Sequence, residues 1–300
     1  MAIFPDNVNP AECLTAERLI DGCDWAYWTE QHKGPTLPKE WKDGALVYCQ
    51  TDHVFELFRK LRLHPCRVIL VSNESDHSVS PNHFAARPWN VVEWFGANAT
   101  AEADRCHVLP RALANHYCAL TLKPESFAGA IPDATERDRW LYVNHRVETN
   151  PAVRQPAWNY FASKVAEGWI TLESPAAKGE TTDYARALRE HRFICCPPGN
   201  GLDTHRMWEA LYSKAIPVVL RSRVTEAFAE LPIVLVNDYS EVTLQFLQSE
   251  FAKLQHRTFN FELLALSHWL KRLNAASIRA KSTPRHVLVK EWLGRKLTLA

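Results

Sequence analysis

The sequence predicts an α/β protein of two Rossmann-like domains facing a cleft. Three observations carry that expectation. Short apolar runs of strand length alternate with stretches of helical periodicity. The alternation comes in two series, one on each side of a segment rich in Pro, Gly, Ala and charge, KPESFAGAIPDATERDR (123–139). The 300 residues are enough for two cores, at about 150 residues each. Strands separated by helices read as a parallel sheet covered on both faces. The expected divisions are an N-terminal domain over 1–135, a C-terminal domain over 136–278 and a helical tail over 279–300.

In order along the chain, GALVYCQ (44–50) is an apolar strand ending at Thr51-Asp52. HVFELFRKLRL behind it puts Val54, Leu57, Phe58 and Leu61 on one helical face. CRVILVSNESD (66–76) is the next strand and opens into a polar loop, after which WNVVEWFGAN and RCHVLPRAL continue the alternation, with a short strand over Cys106–Leu109. Beyond the linker, WLYVNHRVE (140–148) predicts a strand, PAWNYFASKVAEG and TTDYARALREH two helices, and RFICC (192–196) a strand. The helix THRMWEALYSK, the strand IPVVL (216–220), the helix VTEAFAE, the strand PIVLVND (232–238) and the long helix EVTLQFLQSEFAKLQ complete the second series. No shorter repeat and no low-complexity tract interrupts it.

Composition narrows the function classes. A net charge of +1 gives no global field to gather nucleic acid or an anionic membrane. No run approaches the roughly 20 apolar residues that span a bilayer, and the N-terminus MAIFPDNVNPAECL carries acids where a leader carries bases. The expected location is the cytoplasm. Eight cysteines, Cys13, Cys23, Cys49, Cys66, Cys106, Cys118, Cys195 and Cys196, lack any CxxC spacing and read as buried thiols of a reducing compartment.

One stretch asks for a ligand: FICCPPGNGLDTHRMWEAL (193–211) runs a strand through two prolines and two glycines into a helix. In parallel sheets such a loop brings backbone N–H groups and the positive helix end to a phosphate. Gly199 and Gly201 permit positive φ and carry no Cβ to block an anion, with Asn200 between them. Asp203 or Thr204 can cap the helix, Arg206 can fork onto phosphate oxygens, and Glu209 on the same face can accept from ribose hydroxyls. On spacing alone, an unliganded turn with a solvated Arg–Glu pair fits as well. The loop lacks the GK[ST] of a Walker A motif and the third glycine of a dinucleotide fingerprint.

CPPGNGLDTHRMWEALYSKAIPVVL resembles the C-terminal signature of exostosin-like glycosyltransferases, departing from it at Lys214-Ala215, where the family has a glycine. VILVSNESDHSV with WNVVEWFGAN, and LYVNHRVETNPAVR (141–154), resemble two further patterns of bacterial and viral relatives of that family. The resemblance implies a GT-B-type fold whose C-terminal domain holds a nucleotide-sugar donor and whose N-terminal domain holds a glycan acceptor. It also implies that Gly199, Gly201 and Thr204 line the diphosphate, Arg206 neutralises it and Glu209 holds the ribose, with Asn144 and Arg154 facing the cleft.

No cofactor or metal is expected, because the chain lacks an Asp-x-Asp pair and has no two-His, one-carboxylate cluster at ligand spacing. Fixed donors such as Arg206 can stabilise a departing diphosphate instead. The loop after VILVS offers Glu74, Asp76 and His77, of which Asp76 is the expected catalytic base, with His77 and Asp52 in reserve. For Asp76 a capping role is equally open. Cys195 and Cys196 read as packed strand residues, and Trp89 and Trp94 as core, with a sugar-stacking face the lesser alternative. The basic tail LSHWLKRLNAASIRAKSTPRHVLVKEWLGRKLTLA reads first as a solvated helix; crossing back onto the first domain and peripheral contact with acidic headgroups are its other placements. The function expected is inverting, metal-independent glycosyl transfer; the alternative is a nucleotide- or carbohydrate-binding protein that has lost catalysis.

Overall fold

The computed structural model describes residues 2–31, 38, 40–118, 121–175 and 182–298. It is α/β, built on two all-parallel five-stranded sheets. The chain divides into two compact units, Met1–Thr15 with Ala112–Ala265, and Ala16–Arg111 with Leu266–Ala300.

In the 16–111 unit, α1 (Ala16–Asp21) leads to β1 (Trp25–Trp28), followed by β2 (Ala45–Cys49), α2 (Val54–Leu61), β3 (Val68–Ser72), α3 (Pro81–Ala86), β4 (Val91–Ala97) and β5 (Cys106–Leu109). The strands lie side by side in sequence order. Because parallel crossovers are right-handed, a sheet wound in one direction carries all its connecting helices on one face. Ala45, Val47, Cys49, Val68, Leu70 and Trp94 accordingly form one core with Val54, Leu57, Phe58 and Leu61 of α2 and Phe84 of α3. β1 has no counterpart among the expected elements, although its aromatic run Trp-Ala-Tyr-Trp is strand-prone.

The 112–265 unit contains β6 (Arg139–Val143), α4 (Pro151–Lys164), β7 (Ile170–Leu172), α5 (Thr182–Glu190), β8 (His191–Cys195), α6 (His205–Tyr212), β9 (Ile216–Leu220), α7 (Arg223–Glu226), β10 (Val234–Val236) and α8 (Leu244–Leu254). Its strand order is β10-β9-β8-β6-β7, so the winding direction reverses between β6 and β8. Such a reversal opens a crevice beyond the carboxyl ends of the two strands. α4 starts five residues before the expected 156, at Asn150-Pro151, with Pro156 inside it. Pro151, at the first helical position, costs no hydrogen bond, because an N–H there has no partner, whereas Pro156 in the second turn gives up one.

Two expectations are corrected here. The segment expected as a linker is built into the 112–265 unit. Asp133 accepts from the N–H groups of Ile3 and Phe4, and the buried Arg137 donates to the carbonyls of Pro132, Leu188, His191 and Ser213. The tail is not a solvated helix separated at 278/279. A continuous α9 (Leu266–Ser282) packs on β2, β3 and β4, with α10 (Arg285–Thr298) behind it. α9 supplies the cover that the one-way winding of the first sheet leaves missing. Trp269, Leu273 and Ala276 are buried, Ser277 donates to the Gly44 carbonyl at 2.6 Å, and Arg279 forks onto Glu93 at 2.9 Å twice. No helix among the described residues is long and apolar enough to cross a membrane.

Candidate functional site

The crevice between β6 and β8 gathers most of the residues the sequence singles out. Asn144 and His145 follow β6, and Cys196, Pro197 and Pro198 follow β8; all of Asn144, His145 and Cys196 are buried. Arg206, in the first turn of α6, donates through Nη1 to Asn144 Oδ1 and through Nη2 to the Asn144 carbonyl at 3.5 Å. Its guanidinium carbon lies 5.1 Å from the centre of the Tyr184 ring.

Arg154 works on the loop from the α4 side. Its Nε donates to Pro198 O at 2.9 Å, Nη2 to Pro197 O at 3.2 Å and Nη1 to Arg146 O at 2.8 Å, while Asn150 Nδ2 donates to Gly199 O at 2.8 Å. Three consecutive loop carbonyls are thus taken up on that side, which removes oxygens that would repel an anion. Burial, with the Arg206 charge close by, lowers the Arg154 guanidinium to about 10, so it remains a cation at neutral pH. Among the described residues neither arginine forms an ion pair with a carboxylate.

The reason for Gly199 differs from the one expected. The left-handed glycines of the described residues are Gly44, Gly129 and Gly168. At Gly199 a Cβ would stand 3.3 Å from Arg154 Nη2 and 3.4 Å from Thr149 Cγ2, so the glycine makes room for the arginine. Its N–H donates to Gly201 O at 3.0 Å within the loop and is not open to a ligand. Thr204 is the N-cap of α6 by backbone and makes no side-chain cap bond, and Asp203 accepts from the Trp208 indole at 2.8 Å.

Glu209 is 4% exposed. Its oxygens accept from the Leu122 N–H at 3.1 Å and the Tyr184 hydroxyl at 2.8 Å. Burial raises its pKa, against the pull of Arg206, Tyr184 and Leu122. Cys195 and Cys196 are free, and burial pushes the Cys195 thiol up to about 12 and Cys196 up as well, so both pack as thiols.

Two adjoining cavities open at the carboxyl ends of β8, β9 and β10. One of about 240 Å³ is walled by Cys196, Gly199, Asn200, Gly201 and Ser222; one of about 360 Å³ by Pro156, Ala157, Tyr160 and Tyr239; both share Val153 and Leu220. Among the described residues the buried Tyr239 hydroxyl meets no hydrogen-bond acceptor, the nearby Leu220 amide being itself a donor.

In the other unit, Asp52 and His77 touch, Oδ1 to Nε2 at 3.3 Å, and Asp76 lies 3.6 Å from Arg111. Asp76 and His77 are exposed. Trp94 is fully buried, with its indole donating to Ser72 at 2.8 Å, so it offers no stacking face.

Sequence reasoning passed over His145, Tyr184, Asn150 and Pro151, and named Glu74 only as one of the acids after VILVS. His145 donates through Nε2 to the Arg154 carbonyl at 3.0 Å, and burial drives its pKa down to about 4, so it is neutral. Tyr184, from α5, carries no local signal. Asn150-Pro151 is a recognisable helix start and marks both α4 and the loop contact. Glu74 holds φ 56° and is buried, accepting from the Tyr48 hydroxyl at 2.9 Å. A glutamate in the left-handed region is a strained conformation of the kind that collects at functional loops.

No family model matches the chain, and no curated protein matches it. Among solved structures, the crystal structure of Acinetobacter baumannii MurG is similar at 13% identity with a TM-score of 0.35, covering 81% of this chain and 72% of that one. A likeness at that level carries no argument about this chain.

Proposed function

We propose that the chain is a glycosyltransferase that takes a sugar from a nucleotide donor and passes it to a hydroxyl acceptor with inversion and without a metal. The observation that supports this best is the site at the β6/β8 reversal: a half-buried Arg206 with no carboxylate partner, set beside a loop whose carbonyls are turned away by Arg154 and Asn150. The diphosphate takes Arg206, and the nucleoside takes the paired cavities over Gly199 to Gly201. Departure of the nucleoside diphosphate puts negative charge where a cation is already fixed, which lowers the barrier without reorganisation. Arg154 is assigned to holding the loop, and Glu209 to holding Tyr184 beneath Arg206, because their hydrogen bonds already go to those groups. The acceptor proton goes to His77, with Asp52 behind it, in preference to Asp76, which faces Arg111.

The test is a calorimetric and thermal-shift screen against UDP-, GDP-, dTDP- and CMP-linked sugars, with release of the sugar followed in parallel. Arg206→Ala is expected to weaken the bound nucleotide by about 2–5 kcal/mol, and Arg206→Lys to recover part, since an ammonium cannot fork. Unchanged affinity in the alanine variant removes the site. Binding without hydrolysis or transfer leaves the binding-only alternative.

A further inference from the structure

A third cavity, of about 370 Å³, lies in the 16–111 unit against β1, the edge strand of its sheet. Its volume falls in the range of small-molecule sites, roughly 300–1,000 Å³. The walls combine Trp25 and Trp28 from the strand, Glu17 and Asp21 one turn apart on α1, and Thr29 and Gln31 beyond the strand.

Both tryptophans are half-buried. Trp28 has one face covered by His53, stacked at 3.8 Å and 23°, while Trp25 meets Tyr27 and Trp41 edge-on at 76° and 83°. Among the described residues one face of the Trp28 ring is stacked, which makes it a platform rather than a cage. Flat indoles take the C–H face of a pyranose, and the hydroxyls around that ring's edge need acceptors and mixed donor–acceptor groups. The carboxylates of Glu17 and Asp21 accept only; Gln31, whose amide donates to Glu17 Oε1 at 3.3 Å, and Thr29 do both. Among the described residues every charged wall group is acidic, which opposes sulfated or uronic-acid chains.

We infer that this cavity binds a neutral oligosaccharide, through stacking on Trp25 and Trp28 and hydroxyl contacts to Glu17, Asp21 and Gln31. The binding stands without the nucleotide site; only its use to hold the acceptor chain rests on the proposed transferase function.

The experiment titrates the full chain, by tryptophan fluorescence and calorimetry, with cellohexaose, chitohexaose and maltohexaose. Heparin and hyaluronan hexasaccharides, spermidine and choline serve as competing classes. At least one neutral chain is expected to bind and the anionic ones not. Trp28→Ala is expected to weaken it about tenfold, with Trp28→Phe intermediate. Glu17→Gln is expected to weaken it about three- to tenfold. No binding of any neutral chain, tighter binding of the cations or the anionic chains, or affinity indifferent to both Glu17→Gln and Trp28→Phe overturns the inference. Loss of glycan binding with nucleotide binding intact overturns it alone; absence of nucleotide binding with glycan binding intact overturns only the transferase reading.

Discussion

At Gly199 the chain has no room for a methyl group, and the neighbour that takes the room is a guanidinium already bonded to two loop carbonyls. Gly199→Ala is therefore expected to cost about 1–3 kcal/mol through overpacking, and to loosen nucleotide binding as Arg154 shifts. Denaturant unfolding and calorimetry on the same variant check both effects; normal stability would mean that the loop gives way freely. Glu209 makes a sharper case. With both oxygens engaged by Leu122 and Tyr184, Glu209→Gln should lower stability by about 1–3 kcal/mol, because an amide donor then faces Leu122 N–H or the Tyr184 hydroxyl. Its effect on ribonucleotide and deoxyribonucleotide affinity should be equal. A larger loss for the ribonucleotide would return Glu209 to the ribose.

At the scale of elements, α9 is fastened to its sheet by a buried carboxylate. Burial alone would raise the Glu93 pKa, yet hydrogen bonds from His107 and Arg279 hold it at about 2, below its ordinary value of 4.5. A carboxyl depressed in the folded state contributes stability that is fully present above its unfolded pKa and is lost as pH falls through its folded one. Stability should therefore decline from about pH 4.5 towards pH 2, and Glu93→Gln should flatten that part of the curve. Arg279→Met leaves Glu93 with His107 alone and should destabilise by about 1–3 kcal/mol, read by chemical denaturation at pH 7. An unchanged acid limb in Glu93→Gln would show that other carboxyls set it.

For the whole molecule, each unit is discontinuous in sequence, with crossings at 15/16, 111/112 and 265/266. The two proposed sites fall in different units, so their ligands should leave separate footprints. Hydrogen exchange with bound nucleotide should slow around 144–154 and 197–203, and with a bound oligosaccharide around 17–31. Protection of both regions by either ligand alone would contradict the assignment. A chain ending at 265 should fail to fold its first sheet, since the face carrying Glu93 and Phe95 then loses α9; a cooperative unfolding transition for that unit would refute this.

The alternation of strands and helices was legible because parallel strands buried on both faces read as near-continuous apolar runs, as β2 and β3 do, and β4 apart from Glu93. The strand-to-helix loop over 197–203 was legible for a local reason as well, since prolines, glycines and a helix start mark a turn wherever they occur. β1 and β7 were not, being four and three residues long and half-buried at sheet edges. Tertiary structure alone decided that the tail returns to the first sheet, because the need for α9 arises from strand order, which no local pattern encodes. It also decided what Arg154, Glu209 and Gly199 touch. Those partners lie up to 87 residues away, as Leu122 does from Glu209, and a side chain's role is set by the group across from it rather than by its own neighbours in sequence.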